Sequence, residues 1–378
     1  MTCFELLTAF LDAVPERYGI PGCDCAVARD GEIIFRHSVG FSDPNGTVPV
    51  SPNDTYWIYS ATKLFTCTAA MRLIEEGKLK LDAPVSDYLP EFGALMWKAA
   101  DGTVRPVQTA LRVRNLMNMT GGLDYDLTRP ALRETMRDEN ASTRTLVAAL
   151  AKDPLCFEPG AHFLYSLCHD VLGAVIEAAS GKRLSDYVRQ TITDPLGMQN
   201  TTFHPTQAQL SRLSTQYAHV DLQGNRQVIH QNNRFRLSKA YESGGAGLLS
   251  TVDDYILLAS ALSCGGLGAN GYRVLKPESV RLMASNQLNA LQRKDFLARS
   301  EAAKGYSYGL GVQVLVEDLH NGVPLGEFGW DGAAGAYALI DPVNRIAMYY
   351  AQQVCQSYIT YQYLHPALRD TLYRCLNR

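Results

Sequence analysis

The chain has 378 residues, 46% of them hydrophobic and 19% charged, which is enough to bury a large core as two lobes or one elaborated domain. Its net charge of −3, without a dense run of lysine or arginine, argues against nucleic acid or an acidic membrane surface as a partner. No segment approaches ~18 uninterrupted apolar residues, so we expect no membrane span.

The N-terminal segment and the cysteines predict a cytoplasmic location. Phe4, Leu7 and Leu11 fit one face of an amphipathic helix, and the segment lacks the basic start and small-residue cleavage site of an export signal. The nine cysteines are scattered, with no C-x-x-C pair, so we expect reduced thiols. The histidines are also dispersed, and we expect no metal and no cofactor.

Two β-rich runs come next, at 23–29 and 32–39, and the turn Arg29-Asp30-Gly31 between them predicts a hairpin. The pattern then becomes mostly helical from Ser60 to about residue 240. The predicted helices in this part, apart from the one that Ser60 opens, cover 113–119, 143–151, 168–179 and 184–193.

Strands return towards the C-terminus. Apolar residues alternate from Tyr308 to Val316, two further β-rich runs cover 336–340 and 345–351, and the last segment, 361–376, has a helical pattern. These elements predict an α/β (α+β) fold, in which an antiparallel sheet built from both ends of the chain is flanked by terminal helices.

The predicted domain organisation has two lobes. Residues 1–60 and 240–378 form a sheet-containing lobe, and 61–239 form a mostly helical lobe inserted into it. The cleft between the lobes is the expected ligand site.

Ser60-Ala61-Thr62-Lys63 opens an apolar helix and gives the first chemical signal. A spacing of three residues puts the hydroxyl and the amine on one helical face, beside unpaired first-turn N–H groups. A serine hydroxyl needs a base to become a good nucleophile, and a desolvated lysine can be that base. The alternative is that Ser60 only caps the helix and Lys63 is a solvated first-turn residue.

Two later segments offer partners for such a serine. A Pro-Gly turn at Pro159-Gly160 presents Tyr165 in a loop just before the helix that starts at Cys168. Trp330-Asp331-Gly332 lies in a strand rich in small residues, whose glycines would let a substrate lie against the backbone.

With these motifs the chain resembles the serine β-lactamase and penicillin-binding-protein superfamily, in particular the branch of class C β-lactamases and family VIII carboxylesterases. The resemblance covers nearly the whole chain. Ser60-Ala61-Thr62-Lys63 matches S-x-x-K, Tyr165-Ser166-Leu167 stands at Y-x-N, and Trp330-Asp331-Gly332 stands at K-T-G. Two lesser matches, at 119–123 and 244–254, are similar to the T-S-G-L turn and the G-G-L-x-S-T-x-x-D segment.

The resemblance implies a β-lactamase/transpeptidase-like fold and a serine hydrolase mechanism. Ser60 would attack a carbonyl and form an acyl-enzyme, while Lys63 and Tyr165 would share the general-base and general-acid work. A tyrosine can serve as base only where cations stabilise its phenolate, and Lys63 would be the closest. The backbone N–H groups of Ser60 and Ala333 would form the oxyanion hole, and water would release the acyl group.

Departures from the family pattern bear on the substrate. Leu167 replaces an asparagine that contacts the lysine and the substrate amide, and Trp330 replaces a lysine that favours a substrate carboxylate. We therefore expect Leu167, Trp330, Asp331 and Gly332 to line a site for less charged acyl esters or amides. Asp331 would either read a cationic or hydroxyl-bearing group or cap a turn.

The expected function is that of an esterase acting on small acyl esters through a Ser60 acyl-enzyme. β-Lactamase activity and D-amino-acid peptidase or amidase activity are alternatives within the same class. An alternative of a different class is a non-catalytic, penicillin-recognising binding module. The expected partner is a small-molecule ester or amide, and the oligomeric state stays open.

Overall fold

A computed structural model of the chain describes residues 4–376. Cys3 and the two residues before it, at the start of the predicted N-terminal helix, lie outside the described residues. The strands are Gly22–Arg29 (β1), Glu32–Gly40 (β2), Tyr56–Trp57 (β3), Met96–Lys98 (β4), Val104–Pro106 (β5), Tyr217–His219 (β6), Arg226–Val228 (β7), Leu249–Ser250 (β8), Tyr306–Tyr308 (β9), Gln313–Leu315 (β10), Phe328–Asp331 (β11), Tyr337–Asp341 (β12), Ile346–Ala351 (β13) and Val354–Cys355 (β14). The α-helices are Glu5–Asp12 (α1), Val14–Tyr18 (α2), Thr62–Glu75 (α3), Val113–Met117 (α4), Pro130–Thr135 (α5), Thr143–Leu150 (α6), Cys168–Ser180 (α7), Leu184–Val188 (α8), Asp194–Leu196 (α9), Gln207–Leu210 (α10), Val252–Ser263 (α11), Pro277–Met283 (α12), Ala290–Leu297 (α13) and His365–Leu376 (α14).

One seven-stranded antiparallel sheet joins the two ends of the chain, in the order β2-β1-β13-β12-β11-β10-β9. Strands β1 and β13 pair with each other inside the sheet and are almost fully buried, which fits their apolar sequences. The terminal helices α1 and α14 pack against each other, and α11 packs on β1, β12 and β13. The predicted fold class is therefore confirmed.

The alternating run from Tyr308 to Val316, which predicts strand structure, is extended only at its two ends. The run is split between β9 and β10, which pair antiparallel across a tight turn. The Gly309 N–H donates to the Val312 carbonyl at 2.8 Å, and Gly311 has a φ of +85°, a conformation that is open to glycine at little cost. Two glycines inside the run thus allow a hairpin where the apolar alternation alone indicates an extended strand.

Helices α4 to α10 fall in the stretch that was predicted to be mostly helical, but this stretch also contributes strands. Strands β4 and β5 form a small hairpin, and β6 and β7 form a three-stranded sheet with β14 from the C-terminal part of the chain. The lobe boundaries at 60 and 240 stay a prediction. None of the helices in the described part of the chain combines the length and apolar character that crossing a bilayer requires.

Helix α3 lies at the centre of the molecule, where it contacts α7 and β11, and most of its side chains are buried. The segment just before it is tied to the later glycine-rich segment, because β3 pairs with β8 and the Ile58 N–H donates to the Leu248 carbonyl at 3.1 Å. Residues far apart in the chain therefore meet at the start of α3.

Candidate active site

Ser60 lies in a single 3₁₀ turn, Tyr59–Ala61, between β3 and α3. Tyr59, directly before it, has a φ of +43°, which a non-glycine residue adopts only at a cost in free energy. Helix α3 starts without a side-chain cap, so Ser60 is not the N-cap residue that the structural alternative required. The serine is instead held on a strained turn and partly exposed.

Lys63 is completely buried, and its Nζ lies 3.2 Å from Ser60 Oγ. The same nitrogen is 2.7 Å from the Gly245 carbonyl oxygen and 3.0 Å from the Tyr125 hydroxyl oxygen. An ammonium has three N–H donors, and these three acceptors match them. When the amine is neutral, it keeps two donors and presents its lone pair to the Ser60 hydroxyl. Lys63 is thus not the solvated residue of the alternative reading.

Tyr125 is a site residue that the sequence reasoning missed. It lies in an irregular loop after the turn at 120–123, where no helical or strand period marks it. Besides its contact with Lys63, its ring centroid is 5.5 Å from that of Tyr165. Burial and the neighbouring Tyr165 raise the pKa of Tyr125 well above its usual value. Its hydroxyl therefore stays protonated and acts as a hydrogen-bond partner of the lysine.

The Tyr165 ring lies beside the lysine, with Lys63 Nζ 4.6 Å from the ring centroid. The Tyr165 hydroxyl oxygen accepts a hydrogen bond from Trp330 Nε1 at 2.9 Å. Since the phenol oxygen is the acceptor in this bond, its own hydrogen is left for another group. Trp330 is 2% exposed, and its N–H serves Tyr165 instead of a substrate.

The predicted oxyanion hole combines two N–H groups from distant parts of the chain. Within the described residues neither the Ser60 nor the Ala333 N–H donates to a protein acceptor. The segment after β11 is held in place by the Ala333 carbonyl, which accepts from the Gln356 N–H at 2.6 Å. Both donors are thus available to a carbonyl oxygen placed between them.

Gly332 permits the close approach of β11 to the serine turn. A Cβ at this position would lie 2.2 Å from the Ile58 carbonyl oxygen, which no larger residue can tolerate without movement. The Gly332 carbonyl accepts from the Tyr361 hydroxyl at 2.9 Å. The glycine therefore sets the distance between the serine turn and Ala333.

A cavity of about 410 Å³ opens at Ser60. Its wall includes Tyr165, Trp330, Asp331 and Ala333. Leu167 is not part of this wall, because its side chain is 3% exposed and packs in the hydrophobic core. The structure thus brings together the predicted site residues except Leu167, with Gly332 acting through backbone spacing.

Two carboxyl groups shape the electrostatics around the lysine. Asp331 lines the cavity, and burial raises its pKa to about 6 against the opposing charges of Arg299 and Lys63. Asp170 lies behind the site, 1% exposed, and its Oδ1 accepts from the Tyr241 hydroxyl at 2.7 Å and the Ser243 hydroxyl at 2.5 Å. Burial raises the pKa of Asp170 as well, while the charge of Lys63 lowers it.

Among residues 4–376, no group of three or more His, Cys, Asp or Glu side chains is arranged to hold a metal ion. His169, near Lys63, is fully buried, and burial together with the lysine charge lowers its pKa to about 3. It is a neutral packing residue that contacts Cys67 and the Met117 carbonyl.

Comparison with known proteins adds family information to this geometry. The family model described as beta-lactamase matches residues 7–355. Esterase EstB of Burkholderia gladioli is 32% identical over 302 residues, which cover 69% of this chain and 72% of that protein. Protein Rv1367c of Mycobacterium tuberculosis is 30% identical over 348 residues, which cover 89% of this chain and 86% of that protein.

Among solved structures, the fold is similar to that of EstCE1, which is described as a hydrolase with promiscuous acyltransferase activity. The TM-score is 0.81 at 27% identity, and the match covers 98% of both chains. The resemblance inferred from the S-x-x-K, Y-x-N and K-T-G positions is confirmed at the level of the family. The chain belongs to the beta-lactamase family of serine hydrolases and related acyltransferases.

Proposed function

We propose that this protein is an esterase that cleaves small acyl esters through a covalent Ser60 acyl-enzyme. The observation that carries the proposal is the 3.2 Å contact between Ser60 Oγ and the buried Lys63 Nζ, at a cavity that Tyr165 also lines. A nucleophile and a base within hydrogen-bond reach, with the base oriented by further groups, are what covalent catalysis requires. Here Gly245 and Tyr125 orient the base.

In the proposed reaction Ser60 Oγ attacks the ester carbonyl, and its proton passes to the Lys63 amine, which acts as the general base. The tetrahedral oxyanion is held by the backbone N–H groups of Ser60 and Ala333. The C–O bond to the alcohol breaks, and Tyr165, whose own hydrogen is not used by Trp330, delivers a proton to the departing oxygen. Water then attacks the acyl carbonyl and gives a proton to the Tyr165 phenolate. The bond between the acyl carbon and Ser60 Oγ breaks, and Lys63 returns its proton to Ser60 Oγ as the free acid leaves.

The chemistry of the cavity supports esters over β-lactams. Trp330 stands where β-lactamases place a lysine, and its N–H is already used by Tyr165. The name of the relative EstB and the description of EstCE1 point in the same direction. β-Lactamase, D-amino-acid peptidase or amidase activity is the alternative. A cytoplasmic location is also a proposal, which the free thiols of seven described cysteines support, namely Cys23, Cys25, Cys67, Cys156, Cys168, Cys264 and Cys355.

Acyl transfer is a second candidate function, favoured by the acyltransferase activity named for EstCE1. An acyl-enzyme can release its acyl group to water or to an alcohol, and Ser60 is partly exposed at the cavity where either would have to enter. The two outcomes differ only in the deacylating nucleophile. The ratio of ester product to free acid, measured with added alcohol, separates them.

A substrate panel tests the proposal. p-Nitrophenyl acetate and butyrate should be hydrolysed by the wild-type protein at rates that Ser60→Ala reduces by about three orders of magnitude or more, while nitrocefin should be a poor substrate. Fast nitrocefin turnover with slow ester cleavage would overturn the choice of substrate class. A wild type that cleaves no panel member, and does not react covalently at Ser60, would favour the binding module.

A further inference from the structure

Arg299, which follows helix α13, places a cation in the active-site cavity. The sequence motifs did not indicate this cation. Its guanidinium lies over the two aromatic rings of the site, with its carbon 4.7 Å from the Tyr165 centroid and 5.2 Å from the Trp330 centroid. Phe296 and Phe163 complete the contact, at 5.7 Å and 5.9 Å. Arg299 and Ser60 line the same cavity.

The donors of this guanidinium are unused by the described residues. Within the described residues no carboxylate oxygen lies within 4.0 Å of it, and no side-chain hydrogen bond reaches it. The second arginine of the cavity wall differs, because Arg369 donates to the Tyr306 hydroxyl at 3.0 Å and to Asp370 at 2.9 Å. Arg299 is thus the cation of this wall that is still open to a ligand.

Stacking and hydrogen bonding use different parts of a guanidinium. The aromatic rings contact its flat face, while its five N–H donors lie in the plane and can grip a carboxylate with two parallel bonds. The ring contacts also hold the side chain in one place before a ligand arrives, which lowers the entropy cost of binding.

We propose that Arg299 forms a carboxylate subsite, so that the preferred esters carry a carboxylate group in addition to the bond that is cleaved. This inference rests on the proposed esterase function and narrows its substrate class. It also modifies the expectation drawn from Trp330, because a cation lost from the K-T-G position is supplied by a different segment of the chain. Asp331 lies in the same wall, and its negative charge weakens the attraction of Arg299 for a substrate carboxylate.

Two matched ester pairs test the subsite on either side of the scissile bond. p-Acetoxybenzoate and p-acetoxybenzamide differ in a charge on the alcohol side, and mono-p-nitrophenyl glutarate and p-nitrophenyl butyrate differ on the acyl side. In at least one pair the wild type should favour the anionic ester. Arg299→Gln should lower the anionic-to-neutral ratio of kcat/KM about tenfold in that pair, since it removes a charge-assisted contact. The ratio for Arg299→Lys should lie between these two values, because lysine keeps the positive charge but cannot donate two parallel hydrogen bonds to a carboxylate.

Arg17 provides a matched control, because it is exposed and stacked on Tyr18 at 5.3 Å but does not line the cavity. Arg17→Gln should leave both ratios unchanged. A wild-type ratio near one in both pairs, or a ratio that Arg299→Gln does not change, overturns the subsite.

A binding measurement separates this inference from the esterase proposal. Calorimetry on Ser60→Ala, which needs no turnover, should show weaker binding of at least one of the two anionic esters when Arg299→Gln is added. If the wild type cleaves none of the four esters, the esterase proposal fails, and this measurement then decides the subsite by itself. Equal binding with and without Arg299 overturns the subsite even where ester cleavage is fast.

Discussion

At the scale of single residues, the site depends on the full burial of the Lys63 amine. Burying a charged or polar nitrogen is costly unless every donor finds an acceptor, and Ser60, Tyr125 and Gly245 supply three acceptors. The same contacts fix the direction of the nitrogen towards Ser60. Tyr165 is fixed in turn by Trp330, so each proposed catalytic group has a neighbour that holds it in place.

The titration of Asp331 gives a prediction at the same scale. Burial raises its pKa to about 6, so the carboxyl is neutral below that pH and negative above it. Its charge faces Arg299 and Lys63, and a substrate carboxylate, ionised throughout this range, is repelled once Asp331 ionises. The anionic-to-neutral ratio of kcat/KM should therefore fall roughly threefold as pH rises through about 6.

The measurement compares pH profiles of this ratio for the wild type and Asp331→Asn. The ratio cancels the ionisation of the groups that act on both esters. The variant should show a flat profile at or above the low-pH value of the wild type. A wild-type ratio that rises with pH, or a step that persists in Asp331→Asn, would contradict the assignment.

At the scale of elements, the site is made where β11 passes the turn before α3. Gly332 lets the strand approach the Ile58 carbonyl, and Ser60 and Ala333 line the same cavity. The pairing of β3 with β8 holds the other side of the turn. Three segments that are far apart in the chain, the serine turn, β8 and β11, thus position Ser60 and Ala333.

Gly332→Ala should separate β11 from the serine turn, because its Cβ would lie 2.2 Å from the Ile58 carbonyl oxygen. We expect the free energy of unfolding to fall by about 2 kcal/mol and kcat for the best ester to fall at least tenfold. Gly93→Ala is a matched control, since its Cβ would meet only Ser86 at an ordinary 3.6 Å. Urea unfolding and ester kinetics give the two readouts. An alanine variant with wild-type kcat would show that this spacing is not needed.

At the scale of the whole molecule, much of the fold could be predicted, because the strands at both ends and the helices between them carry clear apolar periods. The S-x-x-K, Y-x-N and K-T-G positions also located most of the site. Tyr125 and Arg299 could not be found this way. Each lies outside the regular elements, and its position relative to Lys63 or Tyr165 is decided by tertiary packing. Leu167 shows the converse, since a motif position turned out to face the core.

The stability of the whole molecule should depend on pH through Glu327, which is 1% exposed just before β11. Its Oε1 has no hydrogen-bond partner among residues 4–376, and burial raises its pKa to about 7. Because the folded state keeps this proton up to a higher pH than the unfolded chain does, the free energy of unfolding should fall as pH rises from about 4.5 to about 7. The loss is about 3 kcal/mol.

Urea unfolding at about pH 5 and about pH 8 measures this effect. Glu327→Gln should remove most of the difference between the two pH values. Glu32→Gln, on the exposed edge of β2, serves as the control and should leave the difference unchanged. Equal pH dependence in the wild type and Glu327→Gln would show that this carboxyl ionises as easily in the folded protein as in the unfolded chain.

Covalent labelling of Ser60 tests the central claim most directly. The wild-type protein is treated with a fluorophosphonate, and the modified peptide is identified by mass spectrometry. We predict one adduct per chain, located on Ser60, absent from Ser60→Ala and formed at least a hundredfold more slowly in Lys63→Ala. A wild type that stays unlabelled, an adduct that persists in Ser60→Ala, or unchanged labelling in Lys63→Ala would contradict a nucleophile at Ser60 activated by Lys63.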